Sequence, residues 1–118
     1  MRMGALFRGD TCVVARTWLA DTPLSRLRGL LGRSALAPEA REGLLLKPCG
    51  SVHTIGMRYP IDVVFLDAEG FVLHVQERLA PLRASACRGA RQALELFAGG
   101  AERFRPQQGE RLVWRPMS

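Results

Sequence analysis

Short apolar runs and stretches of apolar and polar positions alternating with a period of two recur along this chain, and both patterns predict strands. Residues 5–8 and 11–19 are rich in β-branched and aromatic side chains, among them Val13, Val14, Thr17 and Trp18, which suit a pleated, half-buried surface. Gly9-Asp10 between them is a hairpin-turn signal. Gly43-Leu44-Leu45-Leu46 predicts a short strand, broken by Pro48-Cys49-Gly50. Residues 51–59 alternate imperfectly and read as extended, up to Pro60, which interrupts pairing. The clearest element is a hairpin. Asp62-Val63-Val64-Phe65-Leu66-Asp67 is apolar on both faces and so predicts a central strand. Ala68-Glu69-Gly70 closes the turn, and Phe71, Leu73 and Val75 alternate with Val72, His74 and Gln76 on the way back. Residues 89–96 and 111–115 predict two more strands, separated by one helical turn over 101–104 and a turn at Gln108-Gly109-Glu110.

One stretch departs from this period. Asp21-Thr22-Pro23 opens a predicted helix, with Asp21 or Thr22 as cap and Pro23 in the first turn, where its missing N–H costs nothing. Leu24, Leu27 and Leu31 make one apolar stripe, and Gly32 is placed to end the helix, with Arg33 favourable near its negative end. Six to eight strands with one covering helix predict a β-rich α+β fold, a small bent sheet or partial barrel.

Composition narrows the class. The chain is 118 residues long and reads as a single domain over 1–118. Apolar residues make up 47% and charged residues 24%, ordinary globular usage that argues against disorder. The formal net charge is +6, and Lys47 stands alone among sixteen arginines. Those arginines are dispersed from Arg2 to Arg115 with no run of three, whereas a nucleic-acid binder clusters them and interleaves exposed aromatics, so the pattern argues against nucleic acid. Three cysteines, Cys12, Cys49 and Cys87, do not form a disulfide framework, and Cys12 reads as a small buried hydrophobe. No stretch approaches the roughly 18 consecutive apolar residues of a membrane span. The N-terminal apolar stretch is too short for a signal peptide, so the cytoplasm is the expected location.

Several of these pieces occur in an order that resembles the family known as domain of unknown function 192. They are Gly29-Leu30-Leu31-Gly32-Arg33, Gly43-Leu44-Leu45-Leu46, Pro60-Ile61-Asp62-Val63-Val64-Phe65-Leu66-Asp67 with Gly70, Gly89-Ala90, Ala93-Leu94-Glu95-Leu96 and Gly109-Glu110. The resemblance covers about residues 16–114. It implies a fold and no established activity. Many members look exported behind a signal or lipoprotein sequence, which this N-terminus does not resemble. Many also carry Phe-Trp-Met-Lys-Asn-Thr just before the Pro-Ile-Asp block. Here that region reads Val52-His53-Thr54-Ile55-Gly56-Met57-Arg58-Tyr59, with His53 at the tryptophan position, a variant branch with altered chemistry there.

Candidate chemistry gathers in that same segment. Cys49, Ser51, His53, Thr54, Arg58 and Asp62 bring a thiol, hydroxyls, an imidazole, a guanidinium and a carboxylate within fourteen residues. In an extended chain Cys49, Ser51 and His53 share one face. A zinc site from Cys49, His53 and Cys87 with Asp62 would have the right donor types, yet it lacks Cys-x-x-Cys spacing and a second nearby histidine, so no metal is assigned. A nucleophilic Cys49 with His53 as base and Asp62 as orienter lacks a surrounding signature. A ligand cleft fits more readily: Arg33, Arg58 and His53 would take an anion, with Asp62 and Glu95 accepting hydroxyls. The bland alternatives are a backbone-bonded Asp62 and arginines in solvent or in salt bridges with Glu95. Gly56, Gly99 and Gly100 form no phosphate loop, and no cofactor is expected. The reading is a non-catalytic accessory module that binds a small ligand or a protein; the alternative is a small hydrolytic enzyme built on His53, Arg58 and Asp62. Exposed sheet edges also leave a dimer open.

Overall fold

Alternation with a period of two produces nine strands among the described residues of the computed structural model, which describes residues 1–22, 36–54 and 57–117. They are β1 (Arg2–Arg8), β2 (Thr11–Ala20), β3 (Glu42–Leu46), β4 (Ser51–His53), β5 (Ile61–Leu66), β6 (Val72–Leu79), β7 (Ala84–Ala86), β8 (Gln92–Phe97) and β9 (Val113–Pro116). One short helix, α1 (Gly100–Phe104), precedes β9. The predicted helix over 22–32 lies outside the described residues from 23 onward.

Seven strands form one mixed sheet in the order β6-β5-β8-β3-β2-β1-β9, and β4 and β7 form a separate two-stranded ribbon. Neighbours in the large sheet run antiparallel except β2 and β3, which are parallel. The sheet bends without closing into a barrel. Its two ends nevertheless meet at one bridge, Phe71 opposite Arg111.

Side chains alternate across this sheet into two apolar clusters. Leu6, Val14, Leu45, Val64, Leu94 and Leu96 fill one face with Phe104 of α1. Leu44, Leu46, Ile61, Val63, Phe65 and Ala93 fill the other, beneath Val52 of the ribbon. β5 is buried at all six positions because it lies between β6 and β8 and is covered on both faces. That is the central strand expected from its doubly apolar pattern.

Several details differ from the sequence reading. Among the described residues of the stretch 51–59 only 51–53 form a strand, and they pair with β7, a strand the alternation did not announce. The return strand buries Val72 and leaves Phe71 41% exposed, because Phe71 is drawn to Arg111 and the Val72 N–H donates to the Glu110 carbonyl. Cys12 is exposed: an irregularity in the β1–β2 register between Leu6 and Phe7 separates it from the buried face of Val14, where plain alternation would have placed it.

Gly4 marks a close approach. It pairs with Thr17 on one side and Pro116 on the other. A Cβ there would strike the Arg115 carbonyl and the Trp114 ring, whose Nε1–H donates to the Thr17 carbonyl at 2.8 Å. We expect Gly4→Ala to lower stability by about 1–3 kcal/mol, the usual cost of overpacking, by lifting β9 and Trp114 off β1. Urea unfolding followed by tryptophan fluorescence checks this; an unchanged midpoint refutes the close approach.

Candidate functional site

Asp62 is the second residue of β5 and is 1% exposed. Ile61 pairs with Leu79 and Val63 with Gln76, so Asp62 alone faces both Glu77 and Arg78. This is a β-bulge, with Arg78 in a left-handed conformation at φ 52°. The Asp62 carboxylate holds that bulge by accepting the Arg78 N–H at Oδ1, 2.8 Å. Its Oδ2 accepts the Gly99 N–H at 3.0 Å and the Ala101 N–H at 2.9 Å. Those donors begin α1, whose own N-cap, Gly99, has no side chain to offer. Asp62 therefore joins a bulge to a helix start, and all three partners are backbone.

Thr54 behaves in the same way. It is fully buried; its hydroxyl donates to the Ala80 carbonyl at 2.6 Å and accepts the Arg83 N–H at 2.8 Å. Cys49 is half-buried, and its thiol donates to the Ser51 carbonyl at 3.0 Å. Cys87, also half-buried, contacts the Arg88 carbonyl at 3.7 Å. His53 is exposed on β4, on the same face as Ser51, while Val52 turns inward. Arg58 is exposed in a bend. Arg33 lies outside the described residues.

The candidates are thus only partly gathered. No hydrogen bond joins His53 to Asp62 or to Cys49, and His53 and Asp62 belong to different sheets. Among the described residues no group of three or more His, Cys, Asp or Glu side chains is placed to hold a metal ion. What His53 does share is a shallow depression of about 340 Å³ lined by Ser51, Val52, His53, Ala84, Ser85 and Ala86. Its β7 half escaped the sequence reading because Ala84-Ser85-Ala86 has small residues of weak strand preference. The bounding Pro81 and Gly89 were the available signal.

Glu95 presents a different chemistry. It lies on β8 opposite Leu44 of β3 and Val63 of β5. Alternation with Leu94 and Leu96 turns its side chain toward the face of Ala93 and Phe97. It is 4% exposed, and its Oε2 has no hydrogen-bond partner among the described residues. Desolvation penalises its charged form and raises its pKa from 4.5 to about 7. No arginine pairs with it among the described residues.

Comparison with known proteins gives a family and a fold. The family model for domain of unknown function 192 (DUF192), described as "Uncharacterized ACR", matches residues 6–114. No curated protein matches the sequence. A protein of unknown function from Novosphingobium aromaticivorans DSM 12444 has a similar crystal structure, with a TM-score of 0.77 at 21% identity, over 95% of this chain and 84% of that one. A "putative transcription regulator" from Sinorhizobium meliloti 1021 gives a TM-score of 0.77 at 23% identity, over 96% of this chain and 92% of that one. At these identities the likeness is one of fold. No helix among the described residues is long and apolar enough to cross a membrane.

Two predictions follow from the carboxylates. Asp62→Ala leaves three backbone N–H groups without their acceptor, at about 1–3 kcal/mol each when buried. We expect a loss of several kcal/mol of stability, read as a large fall in the urea midpoint. A loss below about 0.5 kcal/mol, the range of an ordinary surface substitution, would remove Asp62 from the role described.

For Glu95 the folded-state pKa lies above the ordinary value, so between 4.5 and about 7 the folded protein holds a proton that the unfolded chain has released. Stability is then fully present below the ordinary carboxyl value and falls as pH rises through about 7. Glu95→Gln keeps the shape and removes the ionisation. We expect it to match the parent at pH 4 and exceed it by up to about 3 kcal/mol at pH 8. Parallel stability profiles for the two proteins across that range would exclude the effect.

Proposed function

We propose, for a chain that belongs to the DUF192 family, a non-catalytic accessory module that binds a partner molecule through the surface around His53 and Arg58. One observation supports it above the others: the polar groups that would do chemistry beside His53 are committed to backbone. Asp62 accepts three N–H groups and Thr54 grips both sides of the loop before β7. A general base needs an orienting partner within hydrogen-bond reach, and His53 has neither Asp62 nor Cys49 there. What remains accessible is recognition chemistry: the His53 imidazole and the Ser51 hydroxyl line an open depression, and the Arg58 guanidinium is exposed five residues further along the chain. The cytoplasm is the location that goes with this reading.

The alternative is a small hydrolytic enzyme built on His53, Arg58 and Asp62, to which one more carboxyl can be added as a candidate acid. Glu95 is a buried carboxyl whose pKa is raised to about 7, the kind of group that serves as an acid at neutral pH. It sits against the large sheet's apolar face, away from any hydrogen-bonded partner among the described residues.

A thermal-shift screen against metals, nucleotides, sugars, organic acids and small anions tests the proposal. A ligand at 100 times its dissociation constant stabilises the folded state by about 2.7 kcal/mol, a shift of several degrees for a domain of this size. We expect His53→Ala with Arg58→Ala to keep the parent's melting temperature yet lose the ligand-induced shift. An undiminished shift in the double variant would sink the site. Turnover of an ester or amide substrate, abolished by Glu95→Gln, would replace it with the hydrolytic reading.

A further inference from the structure

Segments 47–61 and 78–94 contain six cations, Lys47, Arg58, Arg78, Arg83, Arg88 and Arg91, and no carboxylate. Those six equal the formal net charge of the whole chain, +6, so the charges elsewhere balance. The two segments are distant in sequence, and the fold lays them side by side. β4 pairs with β7, and three flanking bonds extend the contact. The Cys49 N–H donates to the Arg91 carbonyl at 2.8 Å, the Cys87 N–H to the Gly50 carbonyl at 3.2 Å and the Thr54 N–H to the Arg83 carbonyl at 2.8 Å. All six cations are exposed. Arg78 stands apart from the other five: it reaches Glu102 of α1 at 3.9 Å, and α1 packs on the face of the large sheet opposite the ribbon. Arg58, Arg83, Arg88 and Arg91 make no ion pair among the described residues.

A patch of one sign attracts and orients partners of the other. The ribbon adds two features that choose among anionic partners. Each of its strands has an edge without a strand partner among the described residues, and such an edge offers backbone donors and acceptors to an incoming extended segment. At one end of the ribbon Leu82 is 71% exposed, in a left-handed conformation at φ 62°. A branched apolar residue persists there only where its surroundings hold it. The Thr54 hydroxyl does so, bonding the Ala80 carbonyl before Leu82 and the Arg83 N–H after it. An extended acidic peptide uses the strand edge, the leucine and the arginines together, whereas contacts to phosphate use the arginines alone.

We propose that the β4–β7 ribbon docks an extended, acidic segment of a partner protein. The segment adds as a further strand, its carboxylates meet the arginines, and one of its apolar side chains packs against Leu82. The assignment rests on the binding-module reading and names its partner class.

The test uses a fluorescein-labelled peptide of alternating glutamate and valine, titrated into the purified protein at fixed salt. We expect binding that weakens about tenfold or more in the triple variant Arg83→Glu, Arg88→Glu, Arg91→Glu, with an unchanged melting temperature. Methylating alternate amide nitrogens of the peptide should weaken it comparably, because strand addition needs those N–H groups. Amide resonances of Ser51, His53, Ala84 and Ala86 should move on titration. Absence of binding, or binding indifferent to either change, overturns the assignment. Tighter binding of a short duplex DNA, lost in the same triple variant, transfers the patch to nucleic acid and also overturns it. In each failure the module reading stands or falls separately, on whether the small-molecule screen yields a shift that depends on His53 and Arg58.

Discussion

A single carboxylate fixes the geometry on which this fold depends. Asp62 is the second residue of the fully buried strand β5, and its two oxygens take three backbone N–H groups from β6 and the start of α1. The groups it serves have no ready alternative. Gly99 cannot cap α1 with a side chain, and a bulge interrupts the ladder that would otherwise occupy the Arg78 N–H. A buried donor without an acceptor is costly, so the helix turn and the bulge hold their places because Asp62 is there. Phe104, on that helix turn, in turn completes one of the two apolar clusters.

Glu95 is the counterpoint on the neighbouring strand. Both carboxyls are almost wholly buried, and β8 lies beside β5. Asp62 faces donors, whereas Glu95 faces Leu44, Val63 and Phe97 on the opposite side of the sheet. Burial with partners makes a structural anchor; burial without them makes a group whose charge is penalised. The contrast explains why proximity in sequence was a poor guide to a shared site. Residues 49–62 contain a concentration of reactive groups, yet the backbone claims Thr54 and Asp62, and the chain turns between β4 and β5 into separate sheets.

Much of the large sheet is legible in the residues themselves. Val63, Val64, Phe65 and Leu66 are apolar on both faces and can satisfy that pattern only in a covered strand. Gly9-Asp10 and Gly70 mark their turns because both glycines adopt positive φ, at 58° and 95°. The family resemblance through the Pro60–Asp67 block extends the reading to nearly the whole chain. Strand β7 is not legible, since Ala84, Ser85 and Ala86 become a strand only through pairing with β4. Nor is the clustering of arginines. Their even spacing along the chain argued against a patch, and it took the pairing of two distant segments to separate the unbalanced cations from the balanced ones. Of the two roles the residues allow Asp62, a backbone-bonded carboxylate or a ligand group, the three backbone donors show the first to be filled.

The position of β1 has a kinetic meaning. It pairs on one side with β2, across a two-residue turn, and on the other with β9, from the far end of the sequence. The first contact closes a very short loop, and the second must bring together residues more than a hundred positions apart, such as Leu6 and Trp114. Pairings of such high sequence separation are the slow ones, because the chain gives up loop entropy before any contact repays it. The outer margin of the sheet is therefore assembled from its fastest and its slowest association, and until β9 arrives the outer edge of β1 stands open to whatever other strand is near.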